Sequence, residues 1–138
     1  MTRGAQLGDG YVCVPRGQAR HAEMFEKFRS LWQQAGREGK PTLYAQGYFC
    51  VASSSEEGRE RIADYQLHYY GTRPRASGGT GGAAEQDLVG TPEQIADALV
   101  GYQRLGADAI ILIPALADVQ QAEALVGPVQ EAFRQRAA

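Results

Sequence analysis

Hydrophobic positions change their period along the chain, and the changes predict alternating strands and helices. Residues 11–14 form a short apolar run that Pro15 ends, and 42–52 is rich in aromatic and β-branched residues. A third run, over 109–114, is entirely apolar. Short apolar runs bounded by turn residues are typical of buried strands. These three segments are therefore the predicted strands.

The first two predicted helices follow the first two strands. Apolar residues recur at spacings of three and four over 18–36, and Gly36 is suited to cap the helix end. The second helix runs to about Tyr70, with serines at 53–55 that can cap its start and acidic residues in its first turn, and it stops before Gly71. The apolar stripe of the first helix consists of Ala22, Phe25, Phe28, Leu31, Trp32 and Ala35.

Two further helices are predicted in the second half of the chain. The sequence GTPEQ at 90–94 contains a capping box with proline at the first helical position, and Gly106 ends that helix. The last helix covers 119–137, and Gly127 followed by Pro128 is expected to bend or divide it.

The resulting order is β-α-β-α-loop-α-β-α, within one domain over 1–138. Strands that alternate with helices predict an α/β fold with a parallel sheet and right-handed crossovers. A length of 138 residues is that of one domain, and a hydrophobic content of 43% is that of a globular protein rather than a disordered one.

Composition narrows the function classes. Fourteen lysines and arginines stand against sixteen acidic residues, so the charge footprint of a non-specific nucleic-acid binder is missing. The amino terminus lacks the apolar core of a signal peptide, and the longest nearly apolar run, 109–117, is shorter than a bilayer requires. We expect a cytoplasmic protein with neither nucleic-acid nor membrane partners.

Individual polar and aromatic residues give few candidates for chemistry. Cys13 and Cys50 lie in strand-like runs and are predicted to be reduced core thiols, and no metal-ligand spacing is present. His21 is expected at the surface or an interface. His68 is either a general base or a packed side chain among aromatics. Core and interface positions are predicted for Trp32, Tyr44, Tyr48, Tyr65, Tyr69, Tyr70 and Tyr102.

Three segments resemble the carboxyl-terminal part of the luciferase-like monooxygenases, a family of flavin- or deazaflavin-dependent oxidoreductases. The segment AQLGDGY at 5–11 is similar to the family pattern AARLADGW before a late barrel strand. The others are LVGTPEQIA at 88–96 and YQRLGADAIIL at 102–112, which matches the pattern Y-x-x-x-G-A-D before the last strand. The resemblance covers nearly the whole chain and is weakest over 17–52.

This resemblance implies a partial (β/α)8 barrel that contains only the last three strands. A whole barrel takes about 250 residues. The first strands, which hold much of the flavin and substrate pockets in the family, have no counterpart here, so no catalytic residue is transferred. The implied function is a segment or subunit of a flavin-dependent oxidoreductase or monooxygenase that uses FMN or a deazaflavin. The alternative is a non-catalytic half-barrel interaction subunit or a flavin-binding remnant.

A glycine-rich connection over 72–89 is the strongest candidate for a cofactor contact. Glycines allow backbone N–H groups to converge on an anion, and arginines add bidentate contacts to phosphate. Alkanesulfonate-type flavin monooxygenases carry a similar Arg- and Gly-rich loop before the LVG stretch, and this resemblance implies a flavin-phosphate loop. A surface insertion without a ligand is the other interpretation. The candidate cofactor-binding residues are Arg73, Arg75, Gly78, Gly79 and Gly81.

Three parallel strands would leave two open sheet edges. Because an unpaired edge binds other strands, we expect a homo-oligomer or a partner chain that supplies the missing barrel strands. A small-molecule substrate is implied only if the assembled protein is active.

Overall fold

The structure is a computed structural model that describes residues 1–71 and 82–137. The described residues form an α/β fold of parallel strands and helices, as the sequence predicts. In chain order the elements are α1 (Thr2–Leu7), β1 (Gly10–Val12), α2 (Gln18–Gln34), β2 (Thr42–Val51), α3 (Ser55–Tyr70), a 3-10 turn (Ala83–Glu85), β3 (Val89–Gly90), α4 (Pro92–Arg104), β4 (Ala109–Pro114), α5 (Val119–Ala124), a π-helical turn (Leu125–Val129) and α6 (Gln130–Ala137).

The long strand β2 is the centre of the sheet. β1 pairs with its beginning, where Gly10 lies opposite Thr42 and Val12 lies opposite Tyr44. β4 pairs along its other side, starting from Ala109 opposite Tyr44. Both pairings are parallel, which requires the helical crossovers that the chain provides.

The two-residue strand β3 continues the sheet on the same side as β1. Tyr44 accepts a backbone hydrogen bond from Cys13 at 2.9 Å, and Cys50 donates one to Leu88 at 3.1 Å. Alternate residues of a strand turn their backbone groups to the same side, so β1 and β3 flank one edge of β2 with a gap between them. Val89, predicted to lie in a connection, is instead a strand residue that pairs with Cys50 of β2. The sequence does not indicate this strand, because the partner is 39 positions away.

Helices α2 and α4 cover one face of the sheet. The odd-numbered residues of β2 point to this face, where they meet the apolar stripes of both helices. The buried side chains of this core include Phe25, Phe28, Trp32, Leu43, Ala45, Phe49, Ile95, Ala98 and Tyr102.

A smaller cluster lies on the opposite face, towards the carboxyl end of β2. Tyr48 and Cys50, which are even-numbered, pack there with Ile62 of α3, Val89 of β3 and Ala115. Helix α3 approaches the sheet closely at Gly58, where a Cβ atom would stand 3.0 Å from the Cβ of Val89. The opposite face is thus covered by α3 near the strand ends.

Local capping signals set the helix boundaries where they were predicted. Thr91 accepts from the backbone N–H of Gln94, and the Gln94 side chain accepts from the N–H of Thr91, which completes the capping box. Ser54 caps α3 by accepting from the N–H of Glu57, and Gly71 ends that helix with a left-handed φ of 67°. The predicted division of the last helix is confirmed as the π-helical turn around Pro128.

Two differences from the sequence prediction concern contacts between distant residues. Helix α1 was not predicted; Arg37 donates to the carbonyl oxygens of Gln6 and Gly8 at 3.1 Å each and so caps its carboxyl end. The same guanidinium lies 4.1 Å from the ring centre of Trp32. His21, expected at the surface or an interface, is fully buried within the monomer.

Candidate functional site

A cleft lies near the carboxyl end of the sheet, which is where parallel α/β folds bind their ligands. One wall is α3, and the other is the segment that follows β4. The cleft has a volume of about 350 Å³ and is open to solvent. Its lining residues are Arg61, Asp64, Tyr65, His68, Ala115, Leu116 and Ala117.

Spacing along α3 brings the polar residues of the cleft onto one side of the helix. Arg61, Asp64, Tyr65 and His68 are separated by three, four and seven positions, which places them on neighbouring turns of one helical face. This wall combines a cation, a carboxylate, an aromatic ring and an imidazole. The opposite wall is apolar, with Leu116 between two alanines.

The charge of Arg61 is shared with a neighbour on its own helix. Its guanidinium contacts the Glu57 carboxylate at 2.5 Å. The pKa of Glu57 is lowered, first by hydrogen bonds from the Ser53 hydroxyl and N–H and then by Arg61, so this carboxylate is ionised at neutral pH. The ion pair is partly exposed to solvent. Because Glu57 balances the charge of Arg61, this part of the cleft wall is polar without a strong excess of either charge.

Four tyrosines form a closed ring of contacts beside the cleft. The Tyr48 and Tyr65 ring centres lie 5.5 Å apart, Tyr65 stacks on Tyr69 at 5.7 Å, and Tyr69 meets Tyr70 edge-on at 4.8 Å. The Tyr70 and Tyr48 hydroxyls close the ring with a 2.9 Å hydrogen bond. Burial raises the pKa of Tyr48, and the Tyr70 hydrogen bond raises it further. The Tyr48 phenol therefore stays protonated at neutral pH.

A side-chain amide holds the end of β2 next to this cleft. Val51 donates its N–H to Gln121 Oε1 at 2.7 Å, and Gln121 Nε2 donates to the Val51 carbonyl at 3.0 Å. Gln121 is 6% exposed. The amide replaces a strand partner at this position, where β4 has already ended at Pro114.

The face of the sheet opposite α2 and α4 exposes apolar side chains near the beginnings of the strands. Val12, Tyr44 and Ala109 lie side by side in register, and Gln46 and Ile111 form the next row. Exposures of 47% for Val12, 37% for Tyr44 and 42% for Ile111 are high for apolar side chains on sheet strands. Within residues 1–71 and 82–137, this uncovered face is apolar apart from Gln46, and the outer edges of β1 and β4 pair with no strand.

A larger cleft, of about 530 Å³, surrounds the beginning of α2. Arg16 pairs with Glu85 at 3.5 Å and Arg20 pairs with Glu23 at 2.5 Å. Asp87 accepts from the N–H of Gln18 at 2.8 Å and so occupies the helix amino terminus. Because carboxylates already neutralise the cations and the helix end, this cleft is poorly suited to an anion.

The candidate residues from the sequence fall into three groups. Arg73, Arg75, Gly78, Gly79 and Gly81 lie outside the described residues. His68 does line the cleft, while Cys13 and Cys50 are buried free thiols, as predicted. The sequence analysis missed Arg61 and Asp64, whose signal is their spacing with His68 on the helix after a parallel strand.

Metal-ligand clusters and membrane-spanning helices are both absent from the described residues. In residues 1–71 and 82–137, no three His, Cys, Asp or Glu side chains come together as metal ligands. Across the same ranges, every helix is too short or too polar to span a bilayer.

Parallel strands joined by helical crossovers, with a cleft at their carboxyl ends, are the architecture of part of a (β/α)8 barrel. The sequence profile of the luciferase-like monooxygenases matches residues 1–109. The chain belongs to that family. No curated protein shows significant sequence similarity to it.

Solved structures share this fold at low sequence identity. An F420-dependent secondary alcohol dehydrogenase, in complex with an F420-acetone adduct, superposes with a TM-score of 0.70 at 15% identity over 96% of this chain. A riboflavin lyase with modified FMN and riboflavin gives 0.65 at 17% identity over 99% of the chain. EDTA monooxygenase from Chelativorans sp. BNC1 gives 0.64 at 15% identity, also over 99%. The chain spans 45%, 40% and 44% of these three structures, respectively.

Proposed function

We propose that this chain forms the carboxyl-terminal part of a flavin- or deazaflavin-dependent oxidoreductase or monooxygenase. In this role it contributes the last barrel strands and one wall of the cofactor and substrate site. The observation that carries the proposal is the sheet itself: one face is buried under helices, and the other presents apolar rows in register between two open edges. A barrel interior has this character before the remaining strands cover it.

The described cleft fits part of a planar ring system. Tyr65 offers an aromatic wall, Leu116 an apolar one, and the ion pair of Arg61 with Glu57 a polar group at the rim. A bound flavin or deazaflavin would supply the redox chemistry, and the protein would orient it and exclude water. The chain's own contribution is then binding: Tyr65 and Leu116 contact the ring, while His68 and Asp64 face polar substituents.

The phosphate end of the cofactor is assigned to the segment between α3 and β3. Arg73 and Arg75 would make bidentate contacts with phosphate oxygens, and Gly78, Gly79 and Gly81 would allow backbone N–H groups to approach the anion. This assignment rests on the sequence and on the flanking elements, since α3 leads from the cleft directly into the segment.

A binding titration tests the proposal. The purified chain is titrated with FMN and, separately, with F420, while cofactor fluorescence and oligomer mass are recorded together. We expect saturable binding that weakens at least about tenfold in the Arg73→Ala, Arg75→Ala double variant, because each charge-assisted pair is worth about 1.5 to 3 kcal/mol. The isolated chain is expected to give little substrate-dependent turnover.

Two exposed arginines on α4 and α6 provide a matched control. The Arg104→Ala, Arg134→Ala double variant removes the same charge from the second halves of α4 and α6 and should bind as the wild type does. Equal losses in both double variants would assign the effect to net charge and reject the phosphate role. Absence of binding by the wild-type chain, alone and with a partner, would reject the cofactor site.

The uncovered sheet face supports a partner as the second component of the proposal. Replacing Ile111 by Glu places a charge in the middle of the apolar rows and should abolish association with a second chain. A Gln103→Glu variant adds the same charge to the exposed side of α4 and should leave association intact. Sedimentation of the chain, alone and mixed with a polypeptide carrying the first barrel strands, distinguishes a homo-oligomer from a complemented barrel.

A non-catalytic interaction subunit is the second candidate function. The open edges of β1 and β4 favour it, because they bind strands whether or not a cofactor is held. A chain that associates through these edges and binds neither FMN nor F420 would be such a subunit.

A further inference from the structure

We infer that Gln121 is a positioning residue that fixes the cleft by joining the carboxyl end of β2 to the segment after β4. This inference rests on the proposed function for its consequence in cofactor binding, and on the described geometry for the clamp itself. Its basis is the pair of hydrogen bonds between the Gln121 amide and both backbone groups of Val51.

The backbone explains why a side chain is needed at this position. β4 ends at Pro114, which has no N–H, and the next donor, Ala115, already bonds the Phe49 carbonyl at 3.1 Å. Val51, the last residue of β2, would have neither a donor nor an acceptor on that side. The Gln121 amide supplies both, with the same pattern that a strand residue would offer.

The position of Gln121 in the fold turns this contact into a link between two walls. Gln121 lies in α5, directly after the segment that contains Leu116 and Ala117 of the cleft. Val51 is followed by the turn into α3, which carries Arg61 and Tyr65 on the opposite wall. The separation of the two walls therefore depends on a contact between residues 70 positions apart.

The burial of Gln121 gives the contact its strength. With 6% of its surface exposed, Gln121 has little access to water that could replace the two bonds. Removing one partner leaves a buried backbone group unsatisfied, which costs more than the bond contributes. A side chain of similar shape but without the amide should thus free the end of β2 while leaving the apolar packing in place.

Gln121→Glu provides a test with a built-in rescue. A protonated carboxyl both donates and accepts, so it can reproduce the amide's two bonds, whereas a carboxylate only accepts and faces the Val51 carbonyl. Burial raises a carboxyl pKa above its usual value of about 4.3. The clamp should hence be weakened at pH 8, where the carboxylate keeps the bond from the Val51 N–H but repels the Val51 carbonyl, and restored as the pH falls to 5.

Amide hydrogen exchange measures the clamp directly. At pH 8 the protection of the Val51 amide should fall about tenfold in Gln121→Met, while amides in α2 keep theirs. The fall should be smaller in Gln121→Glu, whose carboxylate still accepts from the Val51 N–H but repels the Val51 carbonyl. At pH 5 protection should return in Gln121→Glu and stay low in Gln121→Met. Gln120→Glu places the same charge on the exposed neighbouring residue and should match the wild type at both values.

The outcomes separate the clamp from a general loss of stability and from the proposed function. Equal increases in exchange throughout the chain, or a Gln121→Glu protein insensitive to pH, would overturn the positioning role. Where the wild type binds FMN or F420, Gln121→Met should weaken binding several-fold. If the Val51 amide loses its protection from exchange in Gln121→Met while the cofactor affinity is unchanged, the positioning role is also overturned. If the wild type binds neither, the proposed function fails and the exchange measurement still decides on Gln121.

Discussion

The imidazole of His21 takes the place of a β-strand at the gap between β1 and β3. Its Nε2 accepts a hydrogen bond from the backbone N–H of Gln46 at 3.2 Å, and its Nδ1 lies 3.1 Å from the Gly17 carbonyl. Because an N–H can only donate, Nε2 carries no proton, and the proton on Nδ1 is donated to Gly17. The neutral ring thus supplies the acceptor that a neighbouring strand would otherwise provide to Gln46.

The surroundings of His21 favour this neutral form. Phe25 of α2 and Tyr102 of α4 contact the ring edge-on at 5.8 and 5.0 Å. Burial lowers the pKa of His21, and the hydrogen bond to the Gly17 carbonyl and then the Asp87 carboxylate oppose this effect only in part. Protonation of His21 Nε2 would also direct its N–H at the backbone N–H of Gln46, so that two donors would face each other without an acceptor.

The first prediction is an acid-sensitive fold. The unfolded imidazole titrates near pH 6.5, and the folded one below it, so the protein should lose stability as the pH falls from about 6.5 to the folded pKa. Above pH 6.5 the contribution of His21 to the free energy of unfolding is constant. Each unit of pKa difference corresponds to about 1.4 kcal/mol of unfolding free energy. Urea unfolding at pH 8, 6.5 and 5 measures the loss.

Two substitutions assign this pH dependence. His21→Gln cannot take up a proton and should flatten the profile between pH 6.5 and 5, at a lower overall stability. His68→Gln alters the exposed histidine of α3 and should preserve the wild-type slope. A His21→Gln protein with the wild-type slope would assign the titration to other groups.

The second prediction concerns the start of α4. Thr91→Ala removes the acceptor for the Gln94 N–H and should lower the unfolding free energy by about 1 kcal/mol. Thr91→Ser keeps the hydroxyl and should retain most of the stability. Urea midpoints at constant slope provide the comparison. Equal midpoints for the alanine and wild-type proteins would contradict the role of the capping box.

The third prediction tests the close approach of α3 to the sheet. Gly58→Leu forces a side chain between α3 and Val89, and overpacking of this kind costs about 1 to 3 kcal/mol. Gly127→Ala is the matched control, since a Cβ at that position meets nothing within 4 Å. The thermal unfolding temperature should be lowered by Gly58→Leu and not by Gly127→Ala. If both glycine variants unfold at the wild-type temperature, α3 has room to move.

The fourth prediction concerns the thiols. Burial raises the pKa of Cys13 and of Cys50, so neither side chain should react with a thiol reagent in the native protein at pH 7. Both should react within the dead time once urea unfolds the chain. A native thiol that reacts as quickly as free cysteine would indicate that its side of the sheet opens.

Local chemistry in the sequence predicted every long helix, though not α1, and most of the strand positions. Thr91 and Gln94 are three positions apart, and Gly71 stands directly after its helix, so both boundaries depend on near neighbours only. The apolar runs at β2 and β4 were equally clear, because a continuous apolar run bounded by turn residues predicts a strand without further context.

Residues whose role depends on distant partners were not predictable in this way. The burial of His21 follows from a missing strand partner at Gln46, 25 positions away. Gln121 looks like any helix-surface glutamine until Val51 is placed beside it. The position of the cleft could not be predicted, because it depends on α3 lying over the carboxyl end of β2. The period of apolar residues along a helix does not indicate where that helix packs.

The central place of β2 has a consequence for how the protein is made. Its first neighbour, β1, is synthesised before it, but Gln121 follows Val51 by 70 residues. At about 5 to 20 residues per second, a ribosome needs on the order of 4 to 14 seconds to deliver that glutamine. Until β4 emerges, shortly before Gln121, the edge of β2 with which β4 pairs is unprotected in the nascent chain, and its last residue, Val51, lacks its partner until Gln121 is made. Slower translation of the second half would lengthen its exposure to neighbouring chains, and faster translation would shorten it.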